Sequence, residues 1–222
     1  MTSPSIAELI PRFEPPVRVG REASRAAVAA RAEAEMRSAD EAAMACLMRR
    51  AGVTPERRAA LRREDRDRWE AIASGRSRGL YVHGPVGTGK TWLAMGVVAA
   101  AVSCGRSARI ATEARLLGEV KDSFGDGEDH RALLRRLREC DLLAVDDMGK
   151  EPPTDWALAT LFDVIDARWS AGLPTIVTSQ LDRAQLAARM SERGGGQTAR
   201  AIVSRLSVLD AVRTSGPDRR LA

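Results

Sequence analysis

A chain of 222 residues, 44% hydrophobic and 29% charged, carries enough apolar material for one α/β domain with a small appendage and too little for two large domains. A formal charge of +5 permits a polyanionic partner, whereas 4% aromatic residues exclude a broad base-stacking platform. No run of about 18 uncharged apolar residues occurs, and the opening MTSPSIAELIPRFEPP has neither a basic nor an apolar leader region. A soluble cytosolic protein with no membrane partner is expected. Cys46, Cys104 and Cys140 lie far apart with no CxxC pair, so neither a zinc knuckle nor a disulfide framework is indicated.

In chain order, Pro4, Pro11, Pro15 and Pro16 mark an irregular N-terminal arm. Residues 24–50 place Val28, Ala32, Met36, Ala39, Ala43 and Leu47 at helical spacing. This thin apolar stripe suits either packing against the main domain or docking of a partner. Gly52 ends that helix and Thr54-Pro55-Glu56 starts another. Between 56 and 78, Arg57, Arg58, Arg62, Arg63, Arg66, Arg68, Arg76 and Arg78 alternate with acids. They read as a solvated, salt-bridged face or as a phosphate-binding face. The expected boundary lies near Ser74–Gly79, giving an N-terminal arm with helices at 1–74 and a catalytic domain at 75–222.

From residue 79 short apolar runs at 80–83, 108–111, 142–146, 174–178 and 206–212 read as strands. They alternate with helical patterns at 89–104, 113–122, 129–139, 155–170, 182–190 and 197–205. The helix at 155–170 is the clearest, with Leu158, Leu161, Phe162, Ile165 and Trp169 on one face behind Thr154 and Asp155. Strands alternating with helices predict an α/β fold with a parallel five-stranded sheet covered on both faces. Gly194–Gly196 reads as a flexible loop.

The chain has only three lysines, Lys90, Lys121 and Lys150, against a background of arginine, so a lysine marks a place where a compact ammonium matters. Lys90 sits in Gly84-Pro85-Val86-Gly87-Thr88-Gly89-Lys90-Thr91, which fits G-x-x-x-x-G-K-[ST] between a strand and a helix. In such a loop the glycines let backbone amides face a triphosphate, and the following helix N-terminus adds positive potential. Lys90 reaches the β and γ phosphates, and Thr91 offers its hydroxyl to Mg²⁺. ATP and Mg²⁺ are the expected cofactors. The run Leu142-Leu143-Ala144-Val145-Asp146-Asp147 places two acids at a strand's carboxyl end. Asp146 is expected to hold the metal, and Asp147 to polarise the attacking water.

With GPVGTGKTWLA, LLAVDDMGKEPPTDWALATLFDVIDARW, GLPTIVTSQL, TARAIVSRL and the terminal GPDRR, residues 75–222 resemble the bacterial helicase loaders of the DnaC/DnaI type. These are AAA+ ATPases related to the IstB transposition ATPases. The resemblance implies a P-loop sheet without a C-terminal lid and a weak ATPase, since aspartate at 147 stands where many AAA+ proteins use glutamate. It implies a polar sensor at Gln180, in place of the usual asparagine. It also implies an arginine finger at Arg205 directed at a neighbouring subunit, and a second sensor at Arg220 or the adjacent Arg219. Lys121 and Phe124 fall in a region that faces DNA in such loaders. A cation three residues from an exposed aromatic suits a single strand, with Arg131, Arg135 and Arg136 widening the basic track; the alternative is a core phenylalanine beside a solvated lysine. The implied role is loading of the replicative DNA helicase onto single-stranded DNA, with residues 1–74 gripping the helicase and the chain assembling as a homo-oligomer with ATP and partner. The alternative is an IstB-like ATPase that assists a transposase in selecting target DNA.

Overall fold

The computed structural model describes residues 31, 41–125, 127–193 and 195–218. The chain divides into two units, Met1–Ala43 and Met44–Ala222, and the architecture below is that of the second. Of the helix expected at 24–50, residues 31 and 41–50 are described, and both stretches are helical; 41–50 is α1. The proline-rich arm lies outside the described residues.

Gly52, with φ of 85°, terminates α1 in the left-handed conformation that a side chain resists. Thr54 then caps α2 (Pro55–Ala59), its hydroxyl accepting from the Arg57 amide. After α3 (Arg63–Ala73) come β1 (Gly79–His83), α4 (Lys90–Ser103), β2 (Ala108–Thr112), α5 (Glu113–Asp122), a single 3-10 turn at Ser123–Gly125, and α6 (Gly127–Glu139). The remainder is β3 (Leu142–Asp146), α7 (Asp155–Ser170), β4 (Thr175–Ser179), α8 (Arg183–Met190), α9 (Gly196–Leu206) and β5 (Asp210–Arg213). Thr112, Thr154 and Asp182 cap α5, α7 and α8 by accepting from the third amide of each helix.

The five strands form one all-parallel sheet in the order β2-β3-β4-β1-β5. β3 and β4 are buried along their whole length, which is why they read as unbroken apolar runs and not as alternating ones. One face packs on α4, whose Ala94, Val97, Val98 and Ala99–Ala101 let the helix lie close to the sheet. Met48, Val53, Trp69 and Ile72 cover the same core, so residues 44–74 belong to the same compact unit as the sheet. Burial of side chains such as Trp69 and Ile72 contributes about 1.5–3 kcal/mol each. The other face carries larger side chains, Leu116, Leu137, Leu158, Leu161 and Ile202 among them, from α5, α6, α7 and α9. At the β2 edge the Ile110 amide donates to Ala51 O at 2.7 Å, which covers part of an otherwise open ladder.

Three expectations require correction. The last strand begins at Asp210 and not at 206, because Leu206 closes α9 and, with Leu209 in the following turn, fills the core beneath α7. Gly195 and Gly196 open α9, so they are not a loose loop; a Cβ on Gly195 would meet Leu158 Cδ1 at 2.6 Å. The arginine run is not wholly solvated, since Arg57 is 1% exposed. Its guanidinium pairs with Asp65, donates to Trp92 O at 2.7 Å and Ala60 O at 2.6 Å, and lies over the Trp92 ring. Gly96, inside α4, makes the room: a Cβ there would strike both Arg57 Nη2 and an Asp65 carboxylate oxygen. Glycine within a helix costs about 1 kcal/mol relative to alanine, and here it leaves the space that the buried ion pair fills.

Candidate functional site

After His83 the backbone turns through Gly84, Gly87 and Gly89, with φ of 144°, 76° and 90°, and enters α4 at Lys90. Only residues without a Cβ adopt this path readily, and two of the three also lack space for one. A Cβ on Gly84 would lie 2.2 Å from Thr214 O, and one on Gly87 would overlap the Asp218 carboxylate. The segment leaving β5 is thus laid against the loop: Thr88 Oγ1 meets Thr214 Oγ1 at 2.7 Å, and the Thr214 amide donates to His83 O at 2.7 Å. Lys90 is buried, and its ammonium donates to Gly84 O at 2.8 Å and Pro85 O at 2.7 Å.

β3 delivers Asp146 opposite this loop. Its carboxylate is 5% exposed and accepts from Thr91 Oγ1 at 2.9 and 3.0 Å and from Thr178 Oγ1 at 2.5 Å. Burial pushes its carboxyl above the usual range and the neighbouring Asp147 adds to that; the two threonine hydroxyls and Lys90 pull it back. Thr91 and Asp146, a hydroxyl and a carboxylate in contact, are the hard oxygen donors that suit Mg²⁺, which takes one or two protein ligands and completes its shell with phosphate and water. The pair therefore fits the metal. Among the described residues no group of three or more His, Cys, Asp or Glu side chains forms a separate metal cluster.

Asp147 is the sole non-glycine residue with positive φ among those described, at 57°. Its amide donates to Thr178 Oγ1 at 3.0 Å and its carboxylate pairs with Lys150 at 3.0 Å. A non-glycine residue held in this region costs of order 1 kcal/mol, and such residues gather at functional sites. Between the loop and Asp147 lies a cleft of about 470 Å³. Val86, Gly87, Lys90 and Thr91 line one side, Asp147, Lys150 and Gln180 another, and Arg62, Trp92 and Met95 complete it. Its size suits a nucleotide-sized ligand.

The structure thus brings together Gly84–Thr91, Asp146, Asp147 and Gln180, the last exposed just beyond β4. It does not bring Arg205 to this cleft. Arg205 pairs with Asp166 at 2.8 Å on the α7–α9 face, its guanidinium over the rings of Phe162 and Trp169. Arg219 and Arg220 lie outside the described residues. Lys121 and Phe124 line a second groove of about 530 Å³ with Glu151, Pro152 and Trp156. Phe124 is 56% exposed, edge-on to Trp156 at 5.9 Å and against His130 at 4.8 Å, so it is not a core residue. Arg131 and Arg135 flank a neighbouring depression with Glu128, and Arg136 is exposed.

Sequence reasoning missed two contributors, Thr178 and Glu113, and did not single out a third, Arg62, from its run. Thr178 ties Asp146 and Asp147 to β4, yet inside PTIVT it reads as strand filler. Arg62 reaches the cleft from a run in which it is indistinguishable from its neighbours. Glu113, at the start of α5, is buried and accepts from the Gly149 amide at 2.8 Å. An acid in the first helical turn is ordinary on paper.

A phosphate loop leading into a helix, an acid at the carboxyl end of a distant strand, and an all-parallel five-stranded sheet define a P-loop ATP-binding protein of the AAA+ fold. Residues 75–220 match the model of the IstB-like ATP binding protein family, and the chain belongs to that family. It is 38% identical over 102 residues to an insertion sequence IS1162 putative ATP-binding protein of Pseudomonas fluorescens, covering 46% of this chain and 43% of that protein. It is 28% identical over 153 residues to the replicative helicase loader DnaI of Bacillus subtilis, covering 66% of this chain and 49% of that one. The matched stretches are less than half of these relatives' lengths. A crystal structure of DnaI superposes with a TM-score of 0.58 at 28% identity, covering 69% of this chain and 81% of that chain. Among the described residues no helix is long and apolar enough to cross a membrane.

Proposed function

We propose that the chain hydrolyses ATP to ADP and phosphate and uses that cycle to load a replicative DNA helicase onto single-stranded DNA. The observation that carries the hydrolytic part is the convergence of Lys90, Thr91 and Asp147 on one cleft, with Asp146 bonded to Thr91 at 2.9 Å. Mg²⁺, held by Thr91 and Asp146, would neutralise charge on the β and γ phosphates. Lys90 exchanges its carbonyl partners for phosphate oxygens, and the loop amides hold the rest of the chain of phosphates. Asp147 orients water and takes its proton as the bond to the γ phosphorus forms and that to the leaving oxygen breaks. Gln180, which lines the same cleft, is assigned to contact that water. Arg205, remote from its own cleft, is assigned to the nucleotide of a neighbouring copy in a homo-oligomer, and Arg220 to the second sensor.

The groove at Lys121 and Phe124 supports DNA contact: an ammonium for phosphate beside exposed aromatic faces for bases, worth about 1–3 kcal/mol per stacked base. Residues 1–74 are assigned to the helicase, with the protein working in the cytosol. The identity to the insertion-sequence protein, higher than that to DnaI, favours a second reading, in which the ATPase assists a transposase in selecting target DNA. Pull-down of the replicative helicase in ATP, in ADP and with Lys90→Ala separates them. Capture that depends on ATP and is lost with Lys90→Ala supports the loader. Absence of capture in every nucleotide state, with ATP-dependent capture of a transposase, replaces it.

A further inference from the structure

The aromatic groove and the acidic turn share a loop, and one buried carboxylate fastens it. Residues 147–151 leave β3 through two left-handed conformations, Asp147 at φ 57° and Gly149 at φ 88°. Gly149 is confined further, since a Cβ would meet Leu186 Cδ1 at 2.6 Å. Such a turn persists only where its surroundings over-determine it. Lys150 holds one end through the Asp147 carboxylate, and Arg189 Nε donates to Gly149 O at 3.2 Å. From the other side the Glu113 carboxylate accepts the Gly149 amide at 2.8 Å. A backbone amide donating to a carboxylate makes a charge-assisted bond, about twice as strong as a neutral one.

The same loop continues as Glu151 and Pro152, one wall of the groove, while Leu117, Gly118 and Lys121 of α5 form another. Glu113 is the first residue of α5. It therefore bonds the two walls together at the end nearest Asp147. We infer that Glu113 is a positioning residue that couples occupancy of the Phe124–Trp156 groove to the placement of Asp147 and Lys150 in the cleft. A ligand wedged between the walls loads this clamp, and the turn carrying Asp147 responds. The effect on turnover rests on the ATPase reading of the cleft; the clamp itself does not.

The test uses the full chain, Glu113→Ala and Glu113→Gln, with Mg·ATP and a single-stranded oligothymidylate as probes. In Glu113→Ala the amides of 149–151 exchange with solvent about tenfold faster or more. Turnover falls about 10–100-fold, stimulation by the oligonucleotide disappears, and affinity for Mg·ATP stays within about threefold, because the phosphate loop is untouched. Glu113→Gln, which keeps an acceptor oxygen without the charge, falls between the two in exchange and turnover. Wild-type exchange at 149–151 in Glu113→Ala overturns the inference, as does full oligonucleotide stimulation in that variant. Should Glu113→Ala fail to fold, Glu113→Gln decides alone: wild-type exchange and stimulation there overturn it. A wild-type chain that binds Mg·ATP without releasing phosphate sinks the ATPase reading. The clamp is then judged on exchange at 149–151, with and without oligonucleotide.

Discussion

At the amino edge of the sheet Arg168 is wholly buried, and all three nitrogens of its guanidinium donate hydrogen bonds. It donates to Thr175 Oγ1 at 3.1 Å, to Leu137 O at 3.1 Å, to Cys140 O at 2.9 Å and to Pro174 O at 2.6 Å. At the carboxyl edge Asp146 is buried almost as deeply, but it accepts from two hydroxyls, Thr91 and Thr178, and one of these also belongs to the phosphate loop. The first charge is used up in joining the turns before β3 and β4. The second keeps lone pairs and a soft environment, so it can exchange partners. Arg168 is thus bound up in the structure, whereas Asp146 stands at the end of the sheet beyond which ligands bind in such folds.

Variants at the two edges should separate stability from chemistry. The largest effect is expected from Asp147→Ala, where phosphate release falls by about 10²–10⁴-fold while ATP titration gives an affinity close to wild type. Loss of binding instead would place Asp147 in ground-state recognition. Arg168→Met strands several carbonyl acceptors and should cost about 3 kcal/mol or more in denaturant titration, with nucleotide affinity of the folded protein unchanged. Impaired turnover in that variant under native conditions would erase the distinction between the edges.

Tyr81 offers a smaller and pH-dependent probe. Its hydroxyl donates to Leu181 O at 2.9 Å, and burial pushes its pKa from 10.0 to about 12. The folded protein keeps the phenolic proton where the unfolded chain releases it. That contribution is complete below pH 10 and is lost as the pH rises towards about 12. Tyr81→Phe should cost about 1 kcal/mol at neutral pH and flatten the alkaline fall. Since the chain has a single tyrosine, phenolate absorbance reads the titration directly. Smallest of all, Arg63→Ala should leave the denaturation midpoint in place, because its pair with Asp67 at 3.9 Å is solvated. Arg57→Ala, six residues earlier in the same run, should lower it clearly.

That contrast shows where the sequence was legible. The phosphate loop and Asp146 stand out because their residue types and spacing are dictated by a ligand, and the strand-helix context is local. β1 to β4 were legible within a residue, β3 and β4 because parallel strands buried on both faces leave largely apolar runs. Arg57 was not, since its burial depends on Gly96 of a helix that packs on it from 39 positions further along. Thr178 and Glu113 escaped for the same reason: each acts on a turn brought near by the fold, and neither leaves a pattern in its own segment. The start of β5 was displaced because an apolar helix end and an apolar turn, written consecutively, look like a strand.

The hydroxyl contact between Thr88 and Thr214 joins residues 126 positions apart. During synthesis the ribosome releases the phosphate loop long before the segment that braces it, and β1 lies between β4 and β5, both made later. The nascent chain therefore carries this loop without its brace until the residues after β5 have emerged.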